Sequence, residues 1–307
     1  MTANPDRQQR IRALTYNYGE QPKTPVDACN LCGASEFVVL THRDRYGYPA
    51  EAHACRGCGL VFLNPRMTPE AYGRFYDGVY RPLVSAFHGR LIDARTIQDE
   101  QRQYAVERAA FVRPYITGVR RSSMLDIGGS TGVVAHHFAR EFGLQGTLID
   151  PAPLEVEQAR TFGLETITGL VEAHDFGDRR FDVVIICQTV DHLLDVAGTL
   201  RRVRQLLTND GLLFIDIVDF RAAYLRNWSV EDAIKIDHPY YLTEPTMTAY
   251  LLATGFEILR TDYAADHLHV SYVCRPGRAL ADARPAAASV ETMLREVRFV
   301  QNAPKAS

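Results

Sequence analysis

The sequence of 307 residues has no apolar run approaching the roughly 18 residues of a membrane span, so no membrane role is expected. It also lacks a basic excess: 34 Lys and Arg stand against 37 Asp and Glu, for a formal net charge of -3. No global field therefore recruits nucleic acid. The stretch MTANPDRQQRIRALTYNYG has no apolar core of the kind a secretory signal carries, and the expected setting is soluble and cytoplasmic. There is no internal repeat. A disulfide framework is disfavoured too, because four of the six cysteines fall as Cys29-x-x-Cys32 and Cys55-x-x-Cys58, a metal pattern of reducing compartments. Cys187 and Cys274 lie in apolar, strand-like runs and read as core thiols.

What is present divides the chain. Residues 1–24 read as a flexible polar arm, 25–66 as a cysteine module, and 67–118 as a helical connector or cap. Residues 119–278 read as the main domain, and 279–307 as a tail with a short amphipathic helix over Val290–Val300. Within the connector one helix is expected from Ser85 to Tyr115, with Pro114 near its end. From residue 119 the pattern alternates. Strands are expected at Met124–Asp126, Thr147–Asp150, Glu165–Thr168, Phe181–Cys187 and Leu212–Val218. Helices separate them at Val133–Phe142, Leu154–Phe162, near Val171, and at Val196–Leu207. Asn209-Asp-Gly211 reads as a turn into the fifth strand. Such alternation implies an α/β domain with a parallel sheet covered on both faces. After a polar, aromatic insertion at 219–241 come a helix over Pro245–Ala253, capped by Thr243, and a strand pair, Phe256–Tyr263 and His269–Cys274.

The first strand ends in Asp126 and runs into Gly128-Gly129-Ser130-Thr131-Gly132; the second ends in Asp150, twenty-four positions on. Glycines let backbone approach a ligand, and an acid on the second strand suits ribose hydroxyls. Asp126 would repel a pyrophosphate but not a cationic, amino-acid-bearing cofactor, which favours S-adenosylmethionine (SAM) over NAD. The spacing also fails the G-x-G-x-x-G pattern.

Each cysteine pair is followed by glycine, Gly33 and Gly59, which permits the tight turn that aims N–H groups at thiolates. Two such knuckles supply four soft ligands for a closed, structural Zn²⁺ site of Cys29, Cys32, Cys55 and Cys58. The module holds four acids (Asp27, Glu36, Asp44, Glu51) and four bases (Arg43, Arg45, Arg56, Arg66). With a Zn(Cys)₄ centre it is net negative, which is poor equipment for phosphate contacts.

Five alternating strands closed by a terminal pair resemble the Rossmann-like, seven-stranded class I methyltransferase layout. The order of knuckle, Leu63-Asn-Pro-Arg66 and Phe75-Tyr76-Asp-Gly-Val-Tyr80 is similar to bacterial methyltransferases with an N-terminal zinc-ribbon-like module. These include nucleotide-sugar C-methyltransferases and sugar or natural-product methyltransferases. The resemblance implies that Asp126, Gly128, Gly129, Asp150, Glu172 and Gln188 contact SAM, with Tyr76 and Tyr80 reaching over from the module side. It also implies a histidine base. His238, beside Asp237, matches that family's acceptor-side histidine, and His192, after the fourth strand, is the other candidate. Lys235 stands where the family has tyrosine, and the large C-terminal sugar domain is missing; both departures favour an O-methyl acceptor. Trp228, Tyr240 and Tyr241 are candidates for a stacking wall.

The expected function is therefore methyl transfer to a hydroxyl of a sugar, nucleotide-sugar or natural product, with no nucleic-acid partner. A keto-sugar nucleotide C-methyltransferase, an RNA methyltransferase and a non-catalytic SAM-binding scaffold are the alternatives. Monomer and homodimer both remain open, with 85–115 and 288–300 as candidate contact helices.

Overall fold

Short apolar runs bounded by glycine or polar turns become strands, and the computed structural model, which describes residues 5–117 and 121–303, joins seven of them in one sheet. The chain starts with α1 (Pro5–Arg12), β1 (Lys23–Thr24), β2 (Phe37–Thr41), β3 (Ala52–Cys55), β4 (Val61–Leu63) and β5 (Arg66–Met67). Helices α2 (Pro69–Gly78), α3 (Tyr80–His88) and α4 (Gln98–Ile116) follow. The alternating part runs β6 (Ser123–Ile127), α5 (Val133–Phe142), β7 (Gln145–Asp150), α6 (Pro153–Arg160), β8 (Glu165–Thr168), β9 (Phe181–Cys187), α7 (Val196–Leu206) and β10 (Leu207–Val218). It closes with α8 (Phe220–Asn227), β11 (Tyr240–Tyr241), α9 (Glu244–Ala253), β12 (Phe256–Tyr263), β13 (His269–Pro276) and α10 (Ala287–Asn302).

The large sheet has the order β12-β13-β10-β9-β6-β7-β8. Strands β6 to β10 pair in parallel, and β13 is antiparallel to both its neighbours. This is the expected Rossmann-like α/β architecture. Helices α4 and α5 cover one face with a core that includes Val112, Phe138 and Phe214; α7 and α9 cover the other with Leu200, Met247 and Tyr250.

Several local expectations change. The single helix expected over Ser85–Tyr115 is two, because Gly89 takes a left-handed φ of 69° and ends α3. Pro114 sits in the last turn of α4. Only a turn forms near Val171. Asn209-Asp-Gly211 lies within β10, where pairing to β9 skips from Leu207 to Leu212. In the segment read as an arm, residues 5–24 pack down and bury Ile11 and Tyr18. Residues 1–4, the 118/119 boundary and residues 304–307 lie outside the described residues.

The unexpected feature is a second sheet, β11-β4-β3-β2. Its fourth strand comes from the insertion after β10, so Tyr240 pairs with Phe62 and Tyr241 with Val61. Both tyrosines are buried there, and Trp228 lies against Phe299, so these three rings form no wall for a ligand. The cysteine module is tied to the main domain twice more. Asn30, inside the first knuckle, donates to Asp195 and accepts from the Ala197 N–H and the Tyr250 hydroxyl. The buried carboxylate of Asp44 accepts from the N–H groups of Tyr46, Tyr48 and Ile236.

Candidate active site

Parallel strands leave their C-terminal ends open to a ligand, and the turns after β6, β7 and β9 here surround a cleft of about 520 Å³. Its floor is the glycine turn. A Cβ on Gly128 would collide with Thr189, and one on Gly129 would lie 2.5 Å from both Asp126 and Leu148. Only glycine lets β6 turn here against the neighbouring strands. Asp126 projects beside this turn, buried, and neither carboxylate oxygen has a hydrogen-bond partner. Burial, with a smaller push from Asp150, lifts its pKa to about 8. An unpartnered buried carboxylate marks a place for a donor or cation. At the tip of β7, Asp150 accepts from the N–H of Ser130 and of Ala152, both at 2.9 Å. Its pKa is raised to about 6, by burial first and by Glu155 second.

The cleft lining brings together Asp126, Gly128, Gly129, Asp150, Glu172, Gln188, Tyr76, Tyr80 and His192. Glu172 accepts from the Leu194 N–H at 3.3 Å, and its other oxygen is buried without a partner. Gln188 has φ 51°, and its N–H donates to the Asp216 carbonyl. His269 and Tyr104 also reach the cleft. His136 stacks on Phe162 away from it, and His267 is likewise not part of the lining.

His238 does not line the cleft. It is buried behind His192, with ring centroids 4.3 Å apart. Its Nδ1 lies 2.8 Å from Asp191, and its Nε2 lies 3.2 Å from Asp237 and 3.4 Å from the Lys235 ammonium. Burial opposes a charge on this ring, but the Asp191 and Asp237 carboxylates outweigh burial and the nearby Lys235, and the pKa is raised. Both acids are in turn held below the usual carboxylate range, since His238 overcomes their burial. His192 is the opposite case: burial, then the neighbouring His238 charge, lower its pKa to about 4. The tautomer of His192 follows from its partners. The Tyr76 hydroxyl must donate to the Asp237 carbonyl at 2.8 Å, so it accepts from His192 Nδ1 at 2.6 Å. That leaves Nε2 with the free lone pair. The pair thus divides: the imidazole in the cleft has its pKa lowered, and the one behind it has its pKa raised.

Two further lining residues, Arg81 and Glu155, escape a sequence reading; they form an ion pair across 74 positions, with no local pattern to announce it.

In the module, Cys29 and Cys58 have sulfurs 3.5 Å apart, as do Cys32 and Cys55, and all four lie within 4.8 Å of one another. A zinc tetrahedron with bonds of about 2.3 Å has sulfur–sulfur edges of about 3.8 Å, so the donor set fits. His53 sits 3.2 Å from Glu51 and is outside the cluster.

A family model described as a methyltransferase domain matches residues 97–261, just over half of the chain. The ubiquinone biosynthesis O-methyltransferase of Methylocella silvestris is 34% identical over 97 residues, covering 30% of this chain and 38% of that protein. The protein of the same name from Azorhizobium caulinodans is 26% identical over 166 residues, covering 49% and 63%. The chain therefore spans 38% and 63% of the lengths of these two relatives, under two thirds in both cases. Among solved structures, the CcbJ methyltransferase of Streptomyces caelestis aligns at TM-score 0.46 and 17% identity, covering 56% of this chain and 89% of that one. A putative SAM-dependent methyltransferase of Listeria monocytogenes aligns at 0.48 and 14%, covering 57% and 100%.

Proposed function

The chain belongs to the methyltransferase-domain family, and from that premise we propose that it moves a methyl group from SAM to a hydroxyl of a small polar metabolite, with His192 as general base. The observation that carries this reading is the convergence of Asp126, the Gly128–Gly129 turn, Asp150, Tyr76 and His192 on one cleft. SAM suits these residues: its ammonium answers the unpartnered Asp126 carboxylate, its ribose diol answers Asp150, and its backbone can lie on the glycine turn. Glu172 and Gln188 serve the adenine side, and Tyr76 and Tyr80 cover the opening.

Bound SAM supplies an electrophilic methyl group. The chain's own residues align the acceptor, exclude water and take the proton. Tyr76 and the Asp237 carbonyl hold the His192 ring, and Nε2 accepts the hydroxyl proton. A low pKa suits this task, because an alcohol oxygen becomes strongly acidic as it forms its new bond to carbon. Asp191 and Asp237 favour the protonated form of His238, and burial together with that neighbour holds the His192 pKa down.

The acceptor is read as uncharged. Among the described residues that line the cleft, Arg81 is the one guanidinium or ammonium, and it is committed to Glu155. A diphosphate finds no cradle there, which favours a sugar or natural-product hydroxyl over a nucleotide-sugar. The net negative zinc module and the carboxylate-rich cleft likewise speak against RNA. We take residues 25–66 as the metal module, 67–118 as cap and 119–278 as catalytic domain.

Calorimetry with S-adenosylhomocysteine tests the cofactor assignment. Binding at pH 7 should release a proton, because Asp126 is protonated below about 8 in the free chain and ionised when it meets an ammonium. Affinity should rise as pH climbs from 6 to 8. Asp150→Ala should weaken binding by about tenfold or more, the cost of a charge-assisted hydrogen bond. Unchanged affinity in that variant would sink the site assignment, and tight binding with no transfer to a broad acceptor panel would favour the scaffold alternative.

Zinc is proposed as a structural ion of the four cysteines. The strand that follows His238 pairs with β4 of the module, so the metal supports the histidine pair indirectly. Cys55→Ser should lose one bound zinc per chain by metal analysis and lose turnover far more than S-adenosylhomocysteine affinity. Equal loss of both would remove this link.

A further inference from the structure

The cap helices α2 and α3 cross the cleft between two anchors. One is Tyr76, bonded to Asp237 and His192 on the acceptor side. The other is Arg81, whose guanidinium bonds Glu155, at the start of α6, with Nε at 2.7 Å and NH2 at 2.5 Å. Their side chains are only 25% and 10% exposed, so this pair is less screened than a surface ion pair. Ser130 completes the second anchor. Its hydroxyl donates to the other Glu155 oxygen at 2.5 Å and accepts from Arg81 at 3.4 Å, while its N–H donates to Asp150.

Ser130 is also strained. Its φ is 49°, in the left-handed region where glycine is at no disadvantage and any other residue is strained. A serine held there against backbone preference, with its hydroxyl in the ion pair, is explained by what the hydroxyl does.

The geometry points to a latch: Arg81, Glu155 and Ser130 hold the α2–α3 cap shut over the ribose side of the cleft and so control how fast the nucleoside cofactor leaves. The inference rests on the SAM reading above. The three are positioning residues. The latch joins the cap to the same Asp150 that is assigned to the ribose, so cap closure and cofactor occupancy are coupled through Ser130 N–H and hydroxyl together. Sequence distance hides this arrangement, since Arg81 and Glu155 meet only when the cap folds down.

The test is the dissociation rate of S-adenosylhomocysteine, measured by surface plasmon resonance beside thermal melting, for the full chain and for Ser130→Gly, Arg81→Met and Glu155→Gln. Ser130→Gly removes the strain and the hydroxyl together. It should melt at or above the wild-type temperature yet release ligand about three- to tenfold faster, the worth of one hydrogen bond. A purely structural serine would change melting alone. Arg81→Met and Glu155→Gln should release ligand about tenfold faster or more, and added salt should speed release from the wild type more than from either variant. Unchanged release rates in all three variants, with wild-type binding intact, overturn the latch and leave the SAM site standing. A wild type that binds no S-adenosylhomocysteine overturns both.

Discussion

His192→Ala lowers turnover by about 10²- to 10⁴-fold, the range of a lost general base, while S-adenosylhomocysteine affinity stays within a few-fold of wild type. The split follows from location. His192 lines the cleft, but the polar groups assigned to the cofactor, Asp126 and Asp150, stand on β6 and β7 and keep their surroundings in the variant. Removing the imidazole leaves the Tyr76 hydroxyl with its Asp237 acceptor, so no buried donor is orphaned and the fold tolerates the change. With a pKa near 4, His192 is neutral throughout the physiological range, and the wild-type rate at saturating SAM should fall only as pH drops below about 5. Steady-state kinetics across pH with any accepted substrate checks both points. Wild-type turnover in His192→Ala would end its candidacy as base.

His238→Ala gives a different phenotype: it destabilises the fold by about 3–5 kcal/mol, because Asp191 and Asp237 then lose the cation between them. For a chain of this size the melting temperature falls by on the order of 10 °C. The pH dependence identifies the cause. In the wild type, the raised His238 pKa contributes stability that is fully present below the unfolded value of about 6.5 and is lost as pH rises through the folded one. The two acids, with lowered pKa values, contribute stability above about 3.9 that is lost on further acidification. The variant has two buried carboxylates facing Lys235 and the His192 ring without the His238 cation, so their pKa values rise and it gains relative stability as pH falls from 7 toward 5. Melting curves between pH 5 and 8 measure this. A variant that melts like the wild type would mean that His238 is neutral in the fold, and the division of roles between the histidines would fail.

The glycine turn and the two strand-end acids of the cleft were legible because these parts are local. The Asp126–Gly132 turn needs particular residues at contiguous positions, and Asp150 follows after one helix and one strand. Elements with a strong period or a clear cap, such as α5, β9 and the Thr243-capped α9, appear where periodicity put them. The connector was misjudged because its charged and apolar residues keep helical spacing through Gly89, and the break depends on a left-handed residue that amphipathic spacing does not register. The resemblance that favoured His238 placed a histidine next to a carboxylate, but adjacency in sequence says nothing of which ring meets solvent.

The sequence by itself determined two things: a Rossmann-like α/β domain with its glycine turn and a four-cysteine knuckle pair, each written in short stretches whose backbone geometry is set by glycine and fixed spacing. Tertiary structure alone decided how they cooperate. Tyr240 and Tyr241 add a strand to the module's sheet, and this turns Asp237 and His238 inward behind His192. Arg81 meets Glu155 only when the cap closes over the cleft. The physical reason is shared. Long-range strand pairing and buried charge pairing depend on partners brought together by the whole fold, whereas a glycine turn or a cysteine knuckle carries its constraint in neighbouring residues.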